Sequence, residues 1–148
     1  MDNGQLLELN GEVEEIIFRN AENGYTVLSL NCSGEEITAV GLLPFVSAGE
    51  ELRLIGKFKS HISYGEQFAV EACERSMPSN SAAILKYLSS GAVKGVGPAT
   101  ARRLVEAFGE NTLEIMENQP QRLASVKGIS IDKAEQISRE LQKLFGIR

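Results

Sequence analysis

"AVKGVGPATARRL", residues 92–104, sets a glycine-valine-glycine-proline step, Gly95 to Pro98, directly ahead of a run with helical spacing. Proline suits the first position of a helix, because the N–H it lacks would have no partner there. Gly95 and Gly97 remove side chains where the free amides of a turn and a helix start point outward. Unpaired amides, the positive end of a helix dipole and a backbone open to close approach together make an anion site. A glycine-closed turn between two helices would use the same residues, so the step alone leaves both readings open.

A second copy shifts the balance toward the anion site. Displacing the chain by 33 residues lays Val93-Lys94-Gly95-Val96 on Val126-Lys127-Gly128-Ile129, Ala101 on Ala134, Leu104 on Ile137 and Phe108 on Leu141. Agreement concentrated at a turn and on one helical face marks a supersecondary unit used twice. Each unit is expected to run helix, apolar-Lys-Gly-apolar turn, helix. The candidate phosphate contacts are Lys94, Gly95, Val96, Gly97 and Thr100 in the first copy. In the second they are Lys127, Gly128, Ile129, Ser130 and Lys133. Arg102 and Arg103 lie off the apolar face of Ala101, Leu104, Val105 and Phe108, so they are expected to face solvent. Ser130 replaces the second glycine of the repeat and Ile131 its proline. Ser130 is a candidate helix cap, and the first turn is therefore expected to grip an anion harder than the second.

The remaining sequence divides at "SMPSNS", a linker-like stretch at residues 76–81. The expected domains are residues 1–76 and residues 77–148. Beyond the linker, helical spacing recurs at Ile84, Leu85 and Leu88, at Leu113 and Met116, and at Ala134, Ile137, Leu141 and Leu144. Before it, the chain is strand-like. "GEVEEIIFRN" and "GYTVLSLNC" flank Asn23-Gly24, a hairpin signal. "EEITAVGLL" follows a Cys-Ser-Gly-Glu turn, "PFVSAGEE" breaks the pattern, and "LRLIGKFKS" and "QFAVEACER" flank the turn "HISYGE". Leu52, Leu54, Gly56 and Phe58, and Phe68, Val70 and Ala72, alternate as the inward faces of half-buried antiparallel strands. Five short strands with Gly41 and Gly56 inside them suggest a small closed barrel of the OB type. An SH3-like barrel and an open meander are the alternatives. The expected class is α+β, a five-stranded barrel followed by an all-α module.

Charge is unevenly shared. The chain carries −5 overall, but residues 1–76 hold 5 Lys and Arg against 13 Asp and Glu, whereas residues 77–148 hold 10 against 7. Anion binding belongs mainly in the second half, where the local charge is positive. In the barrel, Arg19, Tyr25, Lys57, Lys59, His61 and Tyr64 cluster around the turns and late strands as possible nucleic-acid contacts. A protein-facing barrel is the competing role. No apolar run nears the ~18 residues of a membrane span, and no basic segment leads an apolar stretch, so no signal peptide is visible. A cytoplasmic chain without membrane partners is expected. Cys32 and Cys73 lack metal-ligand spacing and are expected to be buried free thiols.

Catalysis has little support. His61 is the one histidine in the chain, which excludes multi-histidine metal sites. Glu14-Glu15 and Glu35-Glu36 are expected to alternate across a sheet rather than converge on a metal. No nucleophile–base pair is visible. Gly56-Lys57 is followed by Phe58, and no Gly-x-x-x-x-Gly-Lys-Ser/Thr occurs. No catalytic residue, metal or cofactor is expected within these residues.

The repeated turns resemble the helix-hairpin-helix motif, in tandem, of proteins that hold the DNA backbone without reading sequence. With the barrel before them, "FRNAENGYTVLSL", "LIGKFKSHISYGEQFAVEACER" and "ILKYLSSGAVKGVGPATARRLVEAFGENTLEIMENQPQRL" resemble the amino-terminal region of RecD-like ATP-dependent DNA helicases, the RecD/TraA group. The likeness runs through nearly the whole chain. It implies a noncatalytic, sequence-nonspecific DNA-binding piece of a longer 5′-to-3′ helicase, similar to the exodeoxyribonuclease V alpha subunit and acting in DNA repair or recombination. It also implies that the sequence stops at Arg148 partway through its helical module. DNA and the motor domains of the same chain are the implied partners, and ATP with Mg²⁺ would belong to that motor. A junction-binding scaffold like RuvA, and an interaction module with purely structural hairpins, are the alternatives.

Overall fold

The computed structural model describes residues 5–145. The outer ends of the two expected domains, residues 1–4 and 146–148, lie outside the described residues. The chain divides into two compact units, one ending at Ser76 and the other starting at Met77.

Five strands form the first unit: β1 Leu7–Arg19, β2 Tyr25–Cys32, β3 Glu35–Leu42, β4 Glu51–His61 and β5 Gly65–Ser76. They close a barrel in the order β1-β2-β3-β5-β4, with β4 returning to β1. Every pair is antiparallel except β3 with β5. Closure gives every strand a partner on both sides. Val13, Leu28, Leu30, Ala39, Leu52, Leu54 and Phe68 fill the interior. So small a barrel needs strands that bend and approach closely. A Cβ at Gly56 would stand 2.0 Å from the Ala69 carbonyl oxygen, and one at Gly11 only 2.4 Å from that of Asn31. Gly56 was expected to mark such a bend, and Gly11 does the same on β1.

Bulges decide which side chains face inward, and they overturn part of the alternation read from sequence. On β5, Ile55 pairs with Ala72 but Gly56 pairs with Val70, so Glu71 is an inserted residue. The insertion reverses the two-residue period. Ala72, expected inside, is exposed, and Cys73 takes the inner position opposite Leu54. Cys32 and Cys73 are free thiols, half-buried rather than buried. Burial pushes both thiols above the ordinary range. The turns also differ from the first expectation. Between β1 and β2 the loop is residues 20–24, closed by the Asn20 amide donating to the Tyr25 carbonyl and the Gly24 amide donating to that of Asn20, and within it Gly24 alone has positive φ. The two-residue turn with both residues at positive φ is Ser33-Gly34, between β2 and β3. That is the geometry that matches the right-handed twist of paired strands.

The segment "PFVSAGEE" forms a loop clamped by charge. The Glu50 carboxylate is fully buried. It accepts hydrogen bonds from Arg75 Nε at 2.7 Å and Nη2 at 2.9 Å, and from the Ser47 amide at 2.9 Å. Arg19 holds the same loop from the other side, donating to the Leu43 and Val46 carbonyls and to Thr26 Oγ1. Leu43 and Val46 thereby close the end of the barrel core.

Among the described residues the second unit has the α-helices α1 Ser81–Ser89, α2 Pro98–Phe108, α3 Thr112–Asn118 and α4 Ile131–Phe145. Asn80, from the linker, caps α1 by accepting from the Ala83 amide at 2.8 Å. Ile84, Tyr87, Leu88, Leu104, Met116, Leu123, Ile137 and Leu141 make the shared core. The expected regular helix before the second turn is broken. α3 stops at Asn118, and Pro120–Ser125 continues as 3-10 helix. Proline disfavours the helical region for the residue before it, and Gln119 sits at φ −137°, ψ 56°.

A buried carboxylate is costly once its partner is gone. Arg75→Ala should therefore destabilise the barrel by about 3 kcal/mol, and Glu50→Ala should loosen the same loop. Denaturant unfolding followed by amide exchange of β2 and β3 measures both. A loss below about 0.5 kcal/mol, the usual range of a surface change, would show that the clamp is dispensable.

Candidate nucleic-acid interface

The two repeated turns have the same internal geometry. In the first, Val93 and Val96 are buried while Lys94 and Gly95 between them are exposed. In the second, Val126 and Ile129 are buried, and Lys127 and Gly128 are exposed. The Val96 amide donates to the Val93 carbonyl at 3.1 Å, and the Ile129 amide donates to that of Val126 at 3.1 Å. Gly95 stands at φ +96° and Gly128 at φ +89°, where a side chain is strained. The glycine turns the chain so that both apolar neighbours enter the core and the loop between them projects outward.

That geometry sorts the expected contact residues. Val96 and Ile129 were expected to lend their amides, but each amide is bonded inside its own turn and each side chain is buried. The Gly95 and Gly97 amides make no hydrogen bond among the described residues. Gly97 precedes α2 with extended backbone, φ −94° and ψ −179°, and α2 has neither a side-chain cap nor an acidic residue in its first turn. Pro98 opens the helix, so the first helical amides beyond it, of Ala99 and Thr100, face the same space. A Cβ at Gly97 would meet nothing within 4 Å. At Gly95 and Gly97 the first turn is open backbone.

The second turn is partly closed. Ser130 Oγ accepts the Lys133 amide at 3.1 Å, which removes one helix-start donor. Asp132 adds negative charge to the first turn of α4, where the helix dipole favours it but a phosphate would not. Arg102 and Arg103 are exposed on α2, as the apolar face dictates, whereas Thr100 and Lys133 are half-buried.

The barrel's candidate residues divide as well. Arg19 was expected to contact nucleic acid, but its guanidinium is turned into the loop that it clamps. Burial lowers its proton affinity, with nearby Glu50 opposing that effect. Lys57 lies 3.8 Å from Glu71, and Arg53 and Arg75 are also in ion pairs. Lys59 is the barrel cation without an ion pair or hydrogen bond among the described residues. His61 and Tyr64 are in ring contact, with centroids 4.7 Å apart and planes tilted by 40°. His61 Nδ1 accepts the Ser63 amide at 3.0 Å, which fixes the ring on the turn. Tyr25, His61, Tyr64 and Gln67 line an open depression together with Ile17, Phe18, Val27 and Thr38.

Ile17 and Phe18 were not anticipated. Both are 53% exposed, because Ile16 pairs with Leu28 and Phe18 with Val27, leaving Ile17 inserted. Alternation cannot foretell two adjacent apolar residues on one outer face. Another bulge corrects the expected scatter of carboxylates. Glu14 is inserted between Val13 and Glu15, and Glu14, Glu15 and Glu36 line one shallow depression with Asn31. No group of three His, Cys, Asp or Glu is spaced to hold a metal among the described residues.

Comparison with known proteins agrees with this architecture. Residues 6–78 match the OB-fold domain of the ATP-dependent DNA helicase YrrC family, and residues 86–143 match the SAM-like helix-hairpin-helix tandem. The chain is 27% identical over 130 residues to an ATP-dependent RecD2 DNA helicase of Deinococcus radiodurans. That match takes in 82% of this chain and 18% of the relative, so the chain spans under a fifth of the relative's length. Among solved structures, a chain from a complex of TiaS with an isoleucine tRNA, AMPCPP and agmatine overlaps 54% of this chain and 21% of its own length, at 12% identity and a TM-score of 0.41. The closed five-stranded barrel, the paired hairpins that follow it in sequence and the relative that spans both support an amino-terminal OB-fold and helix-hairpin-helix region similar to that of RecD-like helicases.

Proposed function

We propose that this chain is a noncatalytic, sequence-nonspecific DNA-binding region of a cytoplasmic 5′-to-3′ helicase in DNA repair or recombination. ATP and Mg²⁺ would be used by motor domains elsewhere in the same longer chain. The observation that carries the reading is the first turn: exposed Lys94 and the unbonded amides of Gly95 and Gly97 precede an uncapped helix start. Backbone amides and a helix dipole suit a phosphate and recognise no base. Lys94, Gly95, Gly97, Thr100 and Arg102 would hold one stretch of backbone, with Arg103 exposed on the same helix. Lys127, Gly128, Ser130 and the Lys133 side chain would hold a second, more weakly because the Lys133 amide is taken by Ser130 Oγ.

The barrel would contribute differently. Four of its five cations are engaged in hydrogen bonds or ion pairs, so it has little charge to give phosphates. Tyr25, His61 and Tyr64, with Phe18 beside them, offer rings on which the bases of a single strand could stack, and Lys59 lies at that edge. Stacking tolerates any base. The apolar exposure of Ile17 and Phe18 beside an acidic surface equally favours a protein partner for this face.

Two measurements test the proposal. Aspartate is a good helix cap and its charge suits a helix start, so Gly97→Asp should leave thermal stability unchanged or slightly raised. The same change places a negative charge where the phosphate would sit, so duplex affinity should fall about tenfold or more. Ala107→Asp, an equal charge farther along the exposed side of α2, should cost much less. Equal losses in the two variants would reduce the first turn to a structural role. For the barrel, Tyr64→Ala should weaken binding of a single strand by about 1 kcal/mol or more while leaving the salt dependence unchanged. Unaltered single-strand affinity would assign that face to a protein.

A further inference from the structure

We infer that the second hairpin is a composite site, in which Arg103 of the first hairpin's helix supplies the charge that holds DNA phosphate at Gly128. This deepens the DNA-binding reading above and rests on it. Arg103 lies on α2, yet its Nη1 is 3.6 Å from where a Gly128 Cβ would stand. The guanidinium thus covers the open face of the other hairpin's glycine. Arg103 has no hydrogen bond or ion pair among the described residues, and it is exposed. A guanidinium with its donors free, beside a backbone loop open to solvent, is suited to bidentate capture of a phosphate.

The arrangement is one-sided. The repeat mate of Arg103 is Gln136, and the nearest atom to a Cβ at Gly95 is the apolar Ile137 Cγ1, at 3.6 Å. Among the described residues no cation stands within 4 Å of where a Gly95 Cβ would stand. The second hairpin is the one that needs it, because Ser130 occupies the Lys133 amide and Asp132 adds an opposing charge. The two hairpins would hold phosphate by different means: the first by bare amides and Lys94, the second by Lys127 with a guanidinium lent by its neighbour.

Amide shifts of the ¹⁵N-labelled chain during titration with a short duplex test this directly. With the native sequence, the amides of Gly95, Gly97 and Thr100 and those of Gly128 and Ser130 should all respond. In Arg103→Gln the Gly128 and Ser130 responses should vanish while the others persist. The log–log salt slope should become shallower by about 0.9, one phosphate contact, and affinity at about 0.15 M salt should drop about fivefold. Arg103→Lys should keep most of the slope but recover less of the Gly128 response, since an ammonium lacks the planar fork. Loss at the first hairpin instead, or no change at either, overturns the assignment. If no hairpin amide of the native chain responds to duplex or single strand at low salt, the DNA-binding reading itself falls, and this inference with it.

Discussion

One backbone constraint organises the helical unit: a glycine at positive φ between two apolar residues that must both be buried. At Val93–Val96 and again at Val126–Ile129, a single turn bond brings the flanking side chains inward. The chain can satisfy both anchors only if the residues between them project into solvent with their amides unpaired. A left-handed residue there makes this inexpensive for glycine and strained for anything with a Cβ. The core and the interface are therefore one structure seen from two sides. What buries Val96 and Ile129 also sets out the open backbone beside them, and the helix that follows starts where its dipole adds to those amides.

This coupling explains why the helical unit was legible in the sequence. The repeat displays the anchors, the glycine and the apolar faces of Ala101 and Leu104, and each has one structural solution. Ser130 as a cap was legible for the same local reason. What was not legible came from insertions and from distant pairing. A bulge has no signature in an alternating pattern until its partner strand is known, so Ala72 was placed inside and Ile17 with Phe18 went unnoticed. Arg19 looks like a surface cation beside a turn, because the loop whose carbonyls it holds lies 24 to 27 residues away. Val96 and Ile129 were read as amide donors although their turn uses those amides. Local rules foretold the elements; the allocation of individual polar groups needed the fold.

The same allocation resolves the charge of the barrel. An excess of carboxylates by itself would repel DNA, and the few cations could have formed a local groove. They do not: Arg53, Lys57 and Arg75 face carboxylates, and Arg19 holds carbonyls. Arg53 beside Glu74 illustrates the outcome, since its hydrogen bond lowers the proton affinity of that carboxyl without freeing any positive charge for a ligand. Apart from Lys59, the barrel uses its cations to hold its own shape. Any strand held there would be held by ring faces, whose attraction depends little on ionic strength.

Repetition followed by divergence gives the two hairpins unequal characters. The first keeps Gly97 and Pro98 and leaves its helix start bare. The second gains a stabilising cap in Ser130 and a dipole-favoured Asp132, both good for α4 and both unfavourable for a phosphate. Stability and anion binding draw on the same few amides, so strengthening one at a hairpin weakens the other. An arginine from the neighbouring helix escapes that conflict, because its charge is carried by a side chain and not by the helix start. The bare hairpin and the capped one then differ in what would release DNA. Bulk or negative charge at Gly97 would affect the first, whereas rising salt would act more strongly on the second.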